Sequence, residues 1–371
     1  MTTVKMVKLG TLIKPAKLQK CGNDDYPVLS MTMHNGLVFQ SDKFKKSVAS
    51  QDKSTYKVVH RNQLVIGFPI DEGVLATQRI TDVGIVSPAY GIWDVDQTKI
   101  IPEFLEYALR CNRAIDYYKA KLRGSTARRR SLPTPTLLEL DVPLPDIEQQ
   151  RLALTTIHHA KNALDSRQAQ LTKLDELVKA RFVEMFGDKN YPYESLINLV
   201  LDGTSLSYGI VQPGNDGTGD MGVLRPVDIV DGKLTMSSIK YIDRSIGEGF
   251  KKTELDGDEL LITVRGTTGI TALTDGRFAG MNVTRGIAVI RYNRKKINPL
   301  YLNAYFNTDE SQRYIQEHTR GATLQQINLS DLRIQRIMLP PLSLQNQFAA
   351  FVAEVDKSKV EVQKALDQTQ L

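Results

Sequence analysis

A membrane-length apolar run is missing from the 371 residues; none approaches the ~18 residues that a span needs. The polar start Met1-Thr2-Thr3-Val4-Lys5 also lacks the apolar core of a secretory signal. Cysteine is scarce. Cys21 and Cys111 make neither a pair motif nor a metal-ligand set, which excludes a disulfide scaffold and a cysteine-rich zinc site. Both read as reduced thiols of a cytoplasmic protein. No phosphate loop ending in Lys-Ser or Lys-Thr occurs, so nucleotide hydrolysis by this chain is not expected. No serine sits in a nucleophile-type glycine frame, and the acids do not gather into a nuclease-like cluster. The five histidines (His34, His60, His158, His159, His318) lack metal-ligand spacing. Gly217-Thr218-Gly219-Asp220-Met221-Gly222 matches the dinucleotide fingerprint in letters only. Loop residues precede it and a strand follows, so no helix N-terminus is available for a pyrophosphate. Leu339-Pro340-Pro341-Leu342 lacks the preceding Asn or Asp with which amino-methyltransferases hold a target amine. These absences point to a binder, not a catalyst.

What is present is a repetition. Pro143-Leu144-Pro145-Asp146-Ile147-Glu148-Gln149-Gln150 returns as Pro340-Pro341-Leu342-Ser343-Leu344-Gln345-Asn346-Gln347, 197 residues later. Gly124-Ser125-Thr126 and Gly321-Ala322-Thr323 share that offset, as do Pro102 and Pro299. Leu105 answers Leu302, Tyr117 answers Tyr314 and Leu132 answers Leu329 without a gap. Solenoid repeats run to roughly 20–50 residues, so a period this long means a duplicated domain.

Each copy of the motif opens a helix. Asp146 stands where an N-cap belongs, with Gln149 three residues on. Ile157, Leu164, Leu171, Val178 and Met185 then recur every seven positions, and Leu154, Ala160, Leu174 and Leu177 widen the stripe. No Pro or Gly interrupts the run until Gly187. At about 1.5 Å per residue such a helix is roughly 60 Å long, beyond what one small domain uses. A heptad stripe of this length calls for a coiled-coil partner. The second copy offers Phe348, Val355 and Val362 on one seam, with Val352 and Leu366 beside it and Lys359 interrupting.

The segments upstream of each helix read as α/β (α+β) units. In the first, strands are expected over 56–66 and 84–95, a helix over 102–122 and a return strand over 137–142. In the second, strands are expected over 223–229, 239–242, 259–264 and 286–292, a helix over 299–314 and a return strand over 332–339. The boundaries are 1–145 for the first unit, 146–188 for the central helix, 189–342 for the second unit and 343–371 for the closing helix. Antiparallel pairing of the two long helices predicts a pseudo-twofold molecule.

The net charge of +6 favours a polyanionic partner. Loop arginines and amides are the residue types that hold phosphates and read base edges bidentately. The first unit offers Arg79, Tyr90, Arg123, Ser125, Thr126, Arg128, Arg129 and Arg130. In the second the candidates are Arg225, Arg265, Thr267, Thr268, Asn282, Arg285, Arg320, Thr323, Gln325 and Gln326.

With these residues in place the chain resembles, over nearly its whole length, the DNA-specificity subunit of type I restriction–modification enzymes. Besides the duplicated helix starts, the resemblance rests on two runs. One is Leu174-Asp175-Glu176-Leu177-Val178-Lys179-Ala180-Arg181-Phe182-Val183-Glu184-Met185-Phe186-Gly187; the other is Gly257-Asp258-Glu259-Leu260-Leu261-Ile262-Thr263-Val264-Arg265-Gly266-Thr267. The resemblance implies two target-recognition domains reading an asymmetric, bipartite DNA site, with the helices as spacers. It further implies two methyltransferase subunits that bind S-adenosylmethionine, and restriction/translocase subunits that use ATP and Mg. No cofactor is expected in this chain, and catalysis is expected in the partners. A cytoplasmic, DNA-associated protein follows. The second helix departs from the pattern by being shorter than the first. The competing readings are a coiled-coil scaffold and a divergent methyltransferase or nuclease with its own site.

Overall fold

The computed structural model describes residues 4–33, 35–43, 52–122, 132–187, 189–214, 219–322 and 324–370. The chain divides into two compact units, Met1–Ala163 and Leu164–Leu371, the division falling inside a 40-residue helix.

The first unit opens with β1 (Met6–Lys8), β2 (Ile13–Pro15), β3 (Leu29–Thr32), β4 (Gly36–Phe39) and the short α1 (Gln40–Lys43). Next come β5 (Lys57–His60), β6 (Leu64–Ile66), β7 (Leu75–Thr77), β8 (Val83–Val86) and β9 (Gly91–Val95). The helical part is α2 (Pro102–Arg110), α3 (Asn112–Lys121) and α4 (Thr134–Leu138), followed by β10 (Asp141–Pro143) and the long α5 (Ile147–Phe186). Four strands form one sheet in the order β2-β9-β6-β7. Strand side chains alternate between faces. Leu64 therefore packs with Leu105 and Leu109 of α2, while its neighbour Val65 packs with Leu29, Val59 and Ile92 on the other side.

The second unit contains β11 (Tyr193–Ser195), β12 (Ser207–Tyr208), β13 (Met221–Leu224), β14 (Ile229–Val230), β15 (Lys233–Leu234), β16 (Lys240–Ile242) and α6 (Arg244–Gly247). It continues with β17 (Leu260–Thr263), β18 (Thr271–Leu273), β19 (Asn282–Val283) and β20 (Ile287–Ile290). It closes with α7 (Pro299–Phe306), α8 (Asp309–His318), α9 (Leu329–Ile334), β21 (Arg336–Met338) and α10 (Leu342–Gln370). Its main sheet has the order β12-β20-β17-β18, the order of the first unit's sheet element for element. Leu260 and Ile262 pack on Tyr301 and Leu302 of α7, whereas Leu261 faces Leu224 and Val283. The duplication read in the sequence is a duplication of topology.

The return strands and the helices before them need correction. The ranges 137–142 and 332–339 are not continuous strands: α4 and α9 occupy their first parts, and only β10 and β21 pair with β1 and β11. Pro135 in the first turn favours helix there, and Leu329 and Leu332 bury one helical face. The helices at 102–122 and 299–314 are each two, broken before Asn112 and Asp309.

The offset of 197 also fails near the end of each unit. Tyr117 Oη donates to the carbonyl of Thr136, and Tyr314 Oη to that of Asp331. The tyrosines are 197 apart but their acceptors are 195 apart. The second copy is thus two residues shorter between these points, and the helix openings match as Gln150 with Gln345. Both glutamines are fully buried. Gln150 Oε1 accepts from Ile101 N–H (2.8 Å) and its Nε2 donates to Pro145 O (2.9 Å). Gln345 Oε1 accepts from Asn298 N–H (2.8 Å) and its Nε2 donates to Pro340 O (2.8 Å). Each amide ties the start of a long helix to the start of its unit's helical pair. Asp146 caps α5 by accepting from Gln149 N–H (2.8 Å).

Within the second unit the end of α5 pairs with α10. The Phe182 and Phe348 rings lie 5.5 Å apart, and Lys359 meets Asp175 at 2.7 Å. Numbering falls along one helix as it rises along the other, so the pair is antiparallel. Met185, Phe348, Val352, Val355 and Leu366 are buried, and Leu164, Leu171, Val178 and Val362 half-buried. Ile157, in the first unit, is also half-buried. Ala160 and Leu177 do not widen the stripe, because both face solvent. Lys359 does not interrupt the seam: its stem lies within it, with the ammonium reaching acids at the rim.

Candidate nucleic-acid interface

The second unit gathers its candidate residues at one end of the main sheet. β17 and β20 run antiparallel with Thr263 opposite Ile287, and Val264 N–H donates to Gly286 O. Arg265 follows this bonded pair on one side, and Arg285 precedes it in the turn that Ile287 N–H closes on Thr284 O, so both lie just beyond the two strands. Neither guanidinium has a side-chain partner among the described residues. Two like charges carried at the same end of a sheet repel. A phosphate or a guanine edge between them would remove that repulsion and use the fork geometry of both groups.

A second loop closes over the same end. Arg265 bridges to Gln326, Gly266 N–H donates to Gln325 O (2.9 Å), and Arg320 and Gln326 exchange both backbone bonds at 2.8 Å. Gly321 makes the turn possible: its φ is +100° and a Cβ would lie 2.3 Å from Leu324 O. Thr268 and Thr319 hydroxyls meet at 3.0 Å. Arg320, Gln325, Thr267 and Arg285 are exposed on this surface. Among the described residues the Arg320 guanidinium makes one long contact, 3.7 Å, to Asp331.

Two candidates are committed elsewhere. Arg225 holds the buried Asp228 through its own N–H (2.7 Å) and its guanidinium (3.2 Å), so it organises the turn after β13. Asn282 is a correction. It is fully buried; its Oδ1 accepts from Thr253 Oγ1 and Val283 N–H, and its Nδ2 donates to Phe250 O. An amide buried in the core and bonded there through both its oxygen and its nitrogen reads no base.

In the first unit the register separates the two described candidates. Ile66 pairs with Gly91, which places Tyr90 beside the turn from β6 to β7. Arg79 follows β7 at the other end of the sheet. Its guanidinium meets Glu103 at 2.6 Å, and Glu103 also meets His158 of α5 at 2.9 Å. Burial pushes the Tyr90 hydroxyl's pKa up. Arg123, Ser125, Thr126, Arg128, Arg129, Arg130 and Thr323 lie outside the described residues.

Among the described residues no group of three or more His, Cys, Asp or Glu could hold a metal ion. None of the described helices is long and apolar enough to cross a membrane. A cleft of about 660 Å³ in the second unit is lined by Ser205, Ser207, Lys252 and Arg291. It lies at the far end of β20 from Arg285, and its Arg291 is already bonded to the carbonyls of Lys252 and Glu254.

Residues 218–369 match the family described as the type I restriction modification DNA specificity domain. Over 370 aligned positions the chain is 22% identical to the type I restriction enzyme EcoBI specificity subunit of Escherichia coli, covering 86% of this chain and 76% of that protein. The second unit thus carries the match to that domain, and the chain as a whole is similar to type I restriction enzyme specificity subunits. The fold agrees. A chain from a structure of the type I R-M system, described for its complex assembly and conformational transition, matches with a TM-score of 0.62 at 16% identity, over 100% of this chain and 94% of that one. The type I restriction–modification S subunit from M. genitalium matches with a TM-score of 0.56 at 12% identity, over the same shares.

Two exposed aromatics were not among the candidates read from the sequence. Tyr208 on edge strand β12 is 37% exposed and its hydroxyl accepts from Leu329 N–H (3.3 Å), at the foot of the 320–328 segment. Phe68, half exposed, stands in the β6–β7 turn.

Proposed function

We propose that this chain is the non-catalytic DNA-reading subunit of a type I restriction–modification enzyme, each unit reading one half of a bipartite, asymmetric site. The observation that carries the reading is that Arg265 and Arg285 stand at one sheet end without side-chain partners among the described residues, backed by the Arg320–Gln326 loop. That end of the second unit is arranged for a polyanion and offers the donors that recognise guanine and adenine edges. The first unit carries the same sheet with different residues at the matching end, which suits two unlike half-sites in one polypeptide.

In this reading residues 1–145 and 189–342 are the recognition domains, and 146–188 and 343–371 are spacer helices that dock partners. Those partners are two methyltransferase subunits and the restriction/translocase subunits. S-adenosylmethionine, ATP and Mg belong to them, as do the bond-making and bond-breaking steps. A net charge of +6 is modest, so the chain alone binds DNA weakly and with strong salt dependence. Tight binding requires the methyltransferase subunits to close on the duplex.

Footprinting of the assembled complex tests this. Two short protected blocks separated by an unprotected gap are expected. One continuous block, or protection without sequence preference, contradicts it.

A further inference from the structure

Two exposed valines flank Arg285 on segments that backbone pairing holds in place. Ile210 forms a parallel bridge with Thr284, and its carbonyl accepts from Arg285 N–H (2.9 Å). On the other side Thr284 N–H donates to Leu224 O (2.9 Å), at the end of β13, which pairs in parallel with β19. Residues 211–212 and 225–227 therefore leave the sheet in the same direction as Arg285. Ile210 and Leu224 are fully buried, whereas Val211 is 49% and Val227 66% exposed.

Neither position is loose. A Cβ on Gly209 would lie 1.9 Å from Val283 O, so only glycine lets the segment before Val211 press on β19. A Cβ on Gly286 would lie 2.7 Å from Pro226 Cγ, so the turn carrying Val227 packs on the residue after Arg285. Buried Asp228 locks that turn by accepting from Arg225 N–H (2.7 Å) and from Ser238 Oγ (2.6 Å).

Single exposed apolar residues are ordinary on a protein surface. Here two are held on either side of one exposed arginine that has no side-chain partner among the described residues. An arginine alone serves a phosphate or a base. A valine offers a phosphate nothing and meets DNA favourably only at an apolar group. The major groove presents one, the 5-methyl of thymine.

Resting on the function proposed above, we infer that Val211 and Val227 are specificity-determining residues of the second unit, apolar contacts that read thymine methyl groups beside Arg285. That end of the sheet then selects its half-site by shape as well as by hydrogen bonds.

The test uses the complete complex with its methyltransferase subunits and a duplex carrying its preferred site. Exchange of residues 189–342 first assigns one half of the site to the second unit. Each thymine of that half, on either strand, is then replaced in turn by deoxyuridine, which removes only the methyl. The wild-type complex is expected to bind about fourfold more weakly at one or two of these replacements, the loss that goes with one buried methyl group. Val211→Ala and Val227→Ala should each abolish the penalty at one such position, binding thymine and deoxyuridine duplexes alike there. Should either variant lower the melting midpoint of the chain, a crosslink from 5-iododeoxyuridine at the affected position of the wild-type complex carries the test. Mass spectrometry should place it within 207–212 or 224–228; a crosslink elsewhere overturns the inference. So does the absence of a penalty at every thymine of that half, or a penalty that both alanine variants keep. With Arg285→Ala still weakening or relaxing recognition of that half, the proposed function then stands. A wild-type complex with no two-part preference overturns both.

Discussion

Lys359 of α10 reaches across the helix pair to Asp175 of α5, Nζ to carboxylate 2.7 Å, and Asp356 stands 3.4 Å away on its own helix. The lysine side chain is 13% exposed while that of Asp175 is 65% exposed. Solvent screens the pair, so its contribution is about 1 kcal/mol or less. A polar residue inside a seam instead fixes which residues face each other. Lys359→Leu is therefore expected to leave the thermal midpoint unchanged or higher, and Lys359→Asp to lower it by placing a third acid beside Asp175 and Asp356. Circular dichroism melts of the two variants check this.

The buried glutamines make a prediction about single amides. In Gln150→Ala the Ile101 N–H loses its acceptor, and in Gln345→Ala the Asn298 N–H does. Leaving a buried donor unsatisfied costs about 1–3 kcal/mol. Hydrogen exchange should accelerate at Ile101 in the first variant only and at Asn298 in the second only. Uniform acceleration through both units would show that the bonds are not local ties.

Arg265 and Arg285 are separable by salt. If one holds a phosphate, its alanine variant weakens binding evenly across sequences and lowers the salt slope by about 1. If it reads a base, the variant costs roughly 1–3 kcal/mol and relaxes the preference at one position. Binding isotherms of the complex at several salt concentrations decide between these for each residue. No change in either variant would contradict a DNA role for this end of the sheet.

Asp96, between β9 and α2, supplies a pH dependence. Its hydrogen bond with Lys99, then that from Thr98, holds its pKa down, to about 2 from an ordinary 3.8. Because the folded value lies below the unfolded one, its contribution is present above about pH 3.8 and lost as pH falls toward 2. Carboxyl NMR should place the midpoint near 2, and Lys99→Ala should move it back toward 3.8.

How much of this was legible in the sequence differs by element. The heptad stripe from Ile157 to Met185 was legible because a period of seven is a local pattern, and it faces inward in the structure. The pairing of β12 with β20 was not, since it joins residues about 80 positions apart. The two-residue shortening before Gln345 escaped notice because matching letters, Gln150 with Gln347, masked the structural match with Gln345. Surface connections absorb such deletions freely. At the candidate surface, Arg265 and Arg285 announced themselves by residue type. Asn282 misled because an amide taken to lie in a loop is the residue type that reads bases, whereas it forms β19 in parallel pairing with β13.

The central claim is one reader in each unit. It is tested most directly by mapping methylated sites in cells whose complex carries this chain with residues 189–342 exchanged for those of a relative. One block of the site should change, with the other block retained. Alteration of both blocks together, or of neither, would contradict the account.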